Sequence, residues 1–211
     1  DATTPARAPP GTVTGISDAI ATSAGETPTC AVLADGTASC WGANTDGKLG
    51  DGTSTDQATP VAVSGVANAT AITAGPRHTC ARLDDGTAAC WGDNSVGQLG
   101  DDAITDRLTA VPVTGLTSAV TIAAGRSHTC ATLADGTSAC WGNSLLAGSP
   151  TRTPAGVPTI TDATAVDASD EHTCAVRAGK TVRCWGENSN GKIGDGSGYQ
   201  RSRPTPVVSS R

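Results

Sequence analysis

The sequence predicts an all-β fold, a β-propeller built from four four-stranded blades, and three observations support that prediction. A Trp-Gly pair recurs four times along the 211 residues, each time directly after two cysteines ten positions apart. Short runs rich in Val, Thr, Ile and Ala alternate with Gly, Pro, Asp and Asn, and no long stretch shows helical periodicity. About four short strands per unit, at a period near 50 residues, are typical of propeller blades.

The repeat period is 50, 50 and then 44 residues, measured between the Trp-Gly pairs at Trp41, Trp91, Trp141 and Trp185. The third unit is shorter because LLAGSP at 145–150 replaces the segment that reads GKLGDG in the first unit. A unit of about 50 residues with a single Trp buries little apolar surface alone. The units are therefore expected to stack into one domain rather than fold as separate beads.

The predicted domain occupies residues 10–211, behind an Ala- and Pro-rich linker at residues 1–9. The first residues carry no initiator Met and no apolar signal core, as expected of a mature N-terminus or of a trimmed chain whose targeting segment is gone. The predicted blades, with approximate limits, are 10–58, 59–108, 109–153 and 154–208.

Three units share an aligned run that ends in His-Thr-Cys, whereas the first unit has Pro28 where the others have His78, His128 and His172. A catalytic site is rarely copied once per blade, so these histidines are interpreted as structural. No phosphate-binding loop, nucleophile elbow or metalloprotease motif is present.

The cysteines of each unit are expected to face each other across a tight hairpin. In the first unit, a three-residue loop at 34–36 forms a type I turn that ends on a left-handed glycine. Counting outward from Leu33 and Thr37 places Cys30 opposite Cys40 in a non-hydrogen-bonded pair. In the fourth unit Gly179 comes one place early, which leaves its turn type open. The predicted disulfides are Cys30–Cys40, Cys80–Cys90, Cys130–Cys140 and Cys174–Cys184.

Two other uses of the cysteines are disfavoured by spacing. Zinc sites prefer two to four residues between paired cysteines, whereas nine separate each pair here, and no redox Cys-x-x-Cys occurs. A His-Cys-Cys metal cluster in the three units that carry His78, His128 and His172 remains the alternative. Each disulfide would close a loop of about ten residues and contribute about 2.5–3 kcal/mol. That contribution offsets the small apolar area buried by a core without Met or Phe. Paired cysteines also predict an oxidising compartment, outside the cell or on its surface.

The net charge of −6 disfavours nucleic-acid binding, which needs a basic surface that displaces counterions. The sequence contains neither a polybasic patch nor a run of 18 apolar residues. Neither membrane binding nor membrane insertion is therefore predicted. The Asp-Gly loops at 46–56 and 190–197 lack the ligand spacing of a calcium loop, so they are interpreted as ordinary turns. No metal and no cofactor is predicted.

The pattern HTCARLDDGTAACWGDNSVGQLG at 78–100 resembles the repeat of the regulator-of-chromosome-condensation family. Residues 28–50 match closely, and 128–142 and 172–194 match in part. The resemblance implies radial four-stranded blades held together through the His, Trp-Gly and Gly-Gln-Leu-Gly positions. The paired cysteines resemble those of secreted bacterial members.

Propellers of this family usually have seven blades, which leaves three arrangements for a four-unit chain. The chain is a fragment of a longer propeller, an open array that pairs with a second copy, or a closed four-bladed ring. In a closed ring, residues 12–16 would complete the last blade or residues 206–208 the first.

Binding is expected where the copies differ, on loops that a rigid scaffold displays. The loops at 144–150, 101–108 and 196–203 carry apolar, Tyr and Arg side chains that favour interfaces; alternatively, they only pack blade against blade. The candidate binding residues are Leu145, Leu146, Ile104, Arg107, Tyr199, Arg201 and Arg203.

The sequence therefore predicts a secreted, non-catalytic protein-binding propeller. The family includes a secreted actinobacterial propeller that inhibits β-lactamase, so enzyme inhibition is one version of this role. The alternative is a structural or adhesion module of a larger cell-surface protein that binds cell-wall material. Guanine-nucleotide exchange, the role of the nuclear family member, fits poorly with disulfides and an acidic chain.

Overall fold

The computed structural model describes residues 11–146 and 148–208, and over this range it forms 16 strands in four antiparallel sheets. The first sheet contains β1 (Ala19–Ala24), β2 (Pro28–Leu33), β3 (Ala38–Gly42) and β4 (Gln57–Ala62). The second contains β5 (Ala69–Ala74), β6 (His78–Leu83), β7 (Ala88–Gly92) and β8 (Arg107–Pro112). The third contains β9 (Ala119–Ala124), β10 (His128–Leu133), β11 (Ser138–Gly142) and β12 (Thr151–Gly156). The fourth contains β13 (Ala163–Ala168), β14 (His172–Arg177), β15 (Val182–Gly186) and β16 (Arg201–Pro206).

This arrangement confirms the four four-stranded blades. A short 3₁₀ turn at Thr45–Gly47 interrupts the loop before β4. No helix in the described part of the chain is long and apolar enough to cross a membrane. The predicted linker at 1–9 lies outside the described residues.

The limits of the sheets differ from the predicted blade limits. The sheets run over 19–62, 69–112, 119–156 and 163–206, so the predicted boundaries near 58, 108 and 153 fall inside β4, β8 and β12. The predicted limits divide each of these Pro-containing strands between two blades, whereas in the structure the whole strand pairs beside the Trp-Gly strand as the last strand of its blade. Pro lacks an N–H group, and the outer edge of a sheet tolerates that loss.

The hairpins follow the register that the sequence predicts, with Cys30 opposite Cys40 and Val32 opposite Ala38. Leu33 N donates to Thr37 O at 2.9 Å, and the glycine at position 36 has a φ of +79°. In the fourth unit, Lys180 takes this left-handed position, with a φ of +58°. The fourth hairpin therefore keeps the length of the others although its glycine is displaced.

All eight cysteines are paired in the four predicted disulfides, one in each blade, with Cα atoms 4.1 Å apart. That distance is close to the spacing of a non-hydrogen-bonded pair on adjacent antiparallel strands. Because every thiol is oxidised, none is left as a thiolate ligand for the alternative metal cluster.

The core lies between the blades. At the first interface, the disulfide, Val32 and Leu49 of one blade pack against Ile72 and Trp91 of the next. The second and third interfaces repeat this arrangement, with Trp141 and Trp185 in the equivalent place. At each of these three interfaces, one blade contributes its disulfide and the following blade contributes its Trp.

The four blades form an open arc. The innermost strands contact one another in the order β1, β5, β9, β13. Among the described residues, no comparable set of contacts joins the fourth sheet to the first. Residues 12–16, which a closed ring would use as a strand, contain a turn instead, and the chain's own β16 completes the fourth sheet.

Candidate protein-binding face

The antiparallel order of each sheet brings two kinds of connection to the same edge. The loop face carries the turns 25–27, 75–77, 125–127 and 169–171, between the first two strands of each blade, and the loops 43–56, 93–106, 143–150 and 187–200, between the last two. The hairpin face, at the opposite edge, carries the cysteine hairpin turns 34–37, 84–87, 134–137 and 178–181. All three candidate loops from the sequence belong to the loop face.

Buried asparagines organise the outer loops. Asn44 accepts a hydrogen bond from Leu49 N at 2.9 Å and donates to Asp51 and to Thr53 O, each at 3.1 Å. Asn94 and Asn188 make the equivalent contacts in the second and fourth blades. Sequence reasoning missed these residues, although the recurring pattern Trp-Gly-x-Asn could have revealed them.

Two of the candidate arginines fasten their own loops. Arg107 pairs with Asp101 at 2.7 Å, and Arg201 pairs with Asp195. Burial alone would raise the pKa of Asp101, but hydrogen bonds, led by the one from Arg107, lower it. Burial likewise opposes ionisation of Asp195, yet hydrogen bonds from Ser197 and Arg201 lower its pKa to about 2. Both carboxylates are therefore engaged by side chains of their own loops.

The other candidates fall into two groups. Tyr199 is 76 % exposed, Ile104 is 51 % exposed, and Arg203 lies exposed on β16. Leu145 is half-buried, and Leu146 packs against the core between the third and fourth blades. The candidates lie on three different blades, so the fold leaves them as separate outer loops on one face.

The outer loops also pack blade against blade. Gly52 N donates to Leu108 O of the next blade at 2.9 Å, and Asp102 N donates to Arg152 O at 3.1 Å. Part of the sequence variation among the outer loops therefore reflects packing between blades rather than binding.

The inner turns form a second variable set, which sequence reasoning missed. Their tips line two clefts of about 480 and 380 Å³ near the centre of the loop face. The sequence could have revealed them, because in each unit a dipeptide that differs from copy to copy lies between two segments that repeat. The tips read Glu26-Thr27, Pro76-Arg77, Arg126-Ser127 and Asp170-Glu171.

The clefts carry charges of both signs that remain accessible to solvent. Arg77 pairs with the buried Asp93 at 3.3 Å and Arg126 with the exposed Asp170 at 3.5 Å, and both arginine side chains are close to half exposed. The solvent-exposed pair of Arg126 and Asp170 is weak, so its members can exchange partners at low cost. Burial, together with the charge of Asp93, raises the pKa of Asp46 at the same cleft. A polar surface of this kind suits a charged partner surface.

The histidines lie between blades. His78 Nε2 shares a 2.7 Å hydrogen bond with the hydroxyl of Thr129, which itself donates to Gln98 O at 2.8 Å. The single hydroxyl proton is used in that donation, so Nε2 of His78 carries the proton and Nδ1 is bare. Burial lowers the pKa of His78 to about 3 and that of His128 to about 4. Neutral, buried imidazoles that bridge blades are consistent with a structural role.

Another cavity, of about 550 Å³, lies on the hairpin face of the third blade. Its lining is mostly Gly, Ser, Thr and aliphatic side chains, with Asp135 as the ionisable member. Asp135 already accepts hydrogen bonds from Thr137 N and Oγ1, at 2.9 and 2.7 Å. The cavity therefore does not place a second ionisable group beside Asp135 for acid–base chemistry.

Comparisons with known proteins identify the repeat. Two models of the Regulator of chromosome condensation (RCC1) repeat match residues 35–82 and 85–132, and 69–98 and 163–192. Together these matches cover more than half of the chain. No curated protein matches the chain by sequence.

Three solved structures show the same fold at low sequence identity. Human WBSCR16 superposes with a TM-score of 0.82 at 18% identity, over 90% of this chain and 53% of that one. Yeast RCC1 (Prp20), bound to Kap60, gives 0.80 at 20% identity, over 94% of this chain and 51% of that one. Prp20p from Saccharomyces cerevisiae, described with its binding to Gsp1p and histones, gives 0.80 at 19%, over 94% and 52%. The chain spans about half the length of these proteins.

Proposed function

Because the chain belongs to the regulator of chromosome condensation repeat family, we propose that it is a non-catalytic, secreted propeller that binds a protein partner through its loop face. The observation that carries the proposal is the contrast between a repeated frame and a variable rim. The disulfides recur in all four blades, and a fully buried tryptophan and a loop asparagine recur in three blades each, whereas the four inner tips differ in charge and shape. Variable residues on a rigid scaffold are the usual location of a binding site.

The relatives support a protein as the partner. Yeast RCC1 is solved in complex with Kap60, and Prp20p is described as binding Gsp1p and histones. Four disulfides support a location in an oxidising compartment, where the partner is a secreted or surface protein, one version being an enzyme that the propeller inhibits.

Carbohydrate adhesion has less support from the exposed side chains. Sugar sites usually present aromatic rings, but Trp91, Trp141 and Trp185 are fully buried between blades. Among the described residues, Tyr199 is the one aromatic side chain that is strongly exposed, and it is the one Tyr of the sequence. We therefore place the structural or adhesion role second.

The proposal is tested with one charge reversal on each face. Asp170→Lys changes the inner rim of the loop face, and Asp84→Lys makes the same change on an exposed residue of the hairpin face. The immobilised chain is incubated with secreted proteins of its source organism, and captured protein is identified by mass spectrometry. Calorimetry with the purified partner then measures the stoichiometry and the affinity. We expect a stoichiometric partner whose affinity falls at least tenfold with Asp170→Lys and less than twofold with Asp84→Lys.

Two results would contradict the proposal. Equal effects of the two substitutions would place the contact away from the loop face. Retention on cell-wall material, with no stoichiometric protein captured, would favour the adhesion role.

A further inference from the structure

We propose that the cleft of about 480 Å³ on the loop face receives a carboxylate side chain, Asp or Glu, of the protein partner, and that the ammonium group of Lys48 binds it. This inference deepens the proposed function and rests on it, because the partner is expected at the loop face. It adds the chemistry of one contact, between a buried cation of this chain and an anion of the partner.

Lys48 is a buried cation near the centre of the loop face. It lines the cleft, and the residue is only 6 % exposed. Nζ donates to the hydroxyl of Thr27 at 2.9 Å and to the carbonyl of Pro76 at 3.1 Å, in the inner turns of the first and second blades. An ammonium group has three N–H donors, so one remains after these two bonds to described residues. Both acceptors are neutral, so neither of them balances the charge.

The fourth blade shows which group the first blade lacks. Lys192 occupies the repeat position of Lys48 and forms an ion pair with Glu187. In the first blade, Ala43 stands at the position of Glu187 and has no carboxylate. Among the described residues, no carboxylate forms an ion pair with Lys48. Buried charges are normally paired, so a carboxylate of the partner would supply the counterion that the blade does not.

Two arginines at the same cleft add to the attraction for an anion. Arg77 and Arg126 line the cleft, and both side chains are close to half exposed. Arg126 is held only by its weak pair with Asp170, so its guanidinium group is available for a charge-assisted hydrogen bond to a carboxylate. Arg77 pairs with Asp93, so the negative charge of Asp93 is already balanced within the chain.

Two carboxylates at the cleft oppose an incoming anion. Glu26 and Asp46 line it, and neither forms an ion pair with a described residue. They make a Lys or Arg side chain of the partner the competing occupant. The anion is favoured because water stabilises the exposed Glu26 and the half-buried Asp46 better than it stabilises the buried Lys48.

The first test uses a small probe in place of the partner. The α-amide of N-acetylglutamate carries one side-chain carboxylate, and the α-amide of N-acetylglutamine is its uncharged control. Each is titrated at neutral pH into the isotope-labelled protein, and binding is followed by NMR. The glutamate probe should shift the backbone amides of the inner turns 25–27 and 75–77, with a dissociation constant in the millimolar range. No shifts, or equal shifts with the two probes, would overturn the proposal.

Two lysine variants assign the probe to its binding group. Lys48→Gln removes the charge and places there the residue that the second blade already uses, Gln98, so it should fold. It should bind the glutamate probe at least tenfold more weakly. The matched control is Lys180→Gln, which removes the same charge from an exposed residue of the hairpin face and should bind like the wild type. Equal binding by both variants would refute the role of Lys48.

Two further variants change the negative charge around the ammonium group. Ala43→Glu supplies a carboxylate from within the chain, as Glu187 does in the fourth blade, and should also exclude the probe. Asp46→Asn removes a repelling charge and should tighten probe binding about two- to fivefold. Weaker binding by Asp46→Asn would indicate a cationic occupant and overturn the proposal. Circular dichroism and thermal melting establish that each variant is folded.

The last test uses the protein partner that the loop face captures. Lys48→Gln should lower its affinity at least tenfold, and Lys180→Gln should change it less than twofold. A partner that is lost with Asp170→Lys but unaffected by Lys48→Gln would overturn this inference and leave the proposed function standing. Probe binding at Lys48 without capture of any protein would contradict the proposed function. It would assign the carboxylate to a free small molecule and so overturn a partner side chain as its source.

Discussion

Acid should destabilise this protein well before its carboxylates protonate, because two imidazoles are buried in neutral form. Burial, with a smaller contribution from the neighbouring histidine, lowers the pKa of His78 from 6.5 to about 3 and that of His128 from 6.5 to about 4. Nδ1 of each ring has no hydrogen-bond partner among the described residues, so a proton added there would be a buried charge without an acceptor. The folded state therefore resists protonation that the unfolded state accepts.

The sign and size of the effect follow from proton linkage. Below about pH 6.5 the unfolded chain binds protons at both histidines, while the folded chain does so only near pH 3 to 4. Stability is thus greatest above pH 6.5 and is lost as the pH falls. Between pH 7 and pH 5 each histidine costs about 2 kcal/mol, or about 4 kcal/mol together. Buried aspartates such as Asp101 have a pKa lowered below 3.8, so they contribute mainly at lower pH.

The assay is guanidinium denaturation of the oxidised protein at pH 7 and pH 5, followed by tryptophan fluorescence. The double variant His78→Gln/His128→Gln should be less stable at pH 7, because its packing changes, yet should lose little further stability at pH 5. His172→Gln is the control; its pKa is also lowered by burial, but the half-buried ring has a smaller effect. The reasoning is refuted if the wild type loses less than about 1 kcal/mol, or if the double variant keeps the full loss.

Three further predictions concern stability at pH 7, each measured as a free energy of unfolding. Lys180→Gly should stabilise the protein by about 0.5–1 kcal/mol, because glycine adopts the left-handed φ of +58° without strain; Lys180→Ala should give no such gain. Gly100→Ala should destabilise the protein by about 2–4 kcal/mol and Gly115→Ala by only about 1–2 kcal/mol. Both glycines have a positive φ, but of the two only Gly100 would place the new Cβ 2.8 Å from a buried indole nitrogen. Equal losses would contradict this account. Cys80→Ala/Cys90→Ala should cost about 3 kcal/mol, and the wild-type protein should gain about 8 Da on reduction; titratable thiols before reduction would contradict the four disulfides.

The hairpins show how far local sequence determines structure. The Asp-Gly turn, the cysteine spacing and the alternation of side chains fix a register within ten residues, and the predicted pairing of Cys30 with Cys40 is confirmed. The Asp of the turn accepts hydrogen bonds from the N–H and hydroxyl of Thr37, two residues later. These contacts are all local, so a single sequence contains the information for them.

The blade limits and the binding candidates depend on longer-range contacts, and there the prediction was less complete. A strand with a central Pro reads equally well as the first strand of one blade or the last of another. Only its pairing beside the Trp-Gly strand decides the matter. Arg107 was a binding candidate because Arg favours interfaces, but its ion pair with Asp101 becomes visible only when the loop is folded. The inner tips, far apart in sequence, line common clefts only because the blades radiate from one centre.

The sequence by itself determined the number of blades, the disulfide within each blade and the residues that repeat, because these features arise from local patterns copied four times. Tertiary structure decided which edge collects the variable turns and what each blade presents to its neighbours. It also decided the order in which the described blades contact one another. These outcomes depend on how sheets stack, since a face such as that of Val176 is core or surface only according to whether another blade covers it.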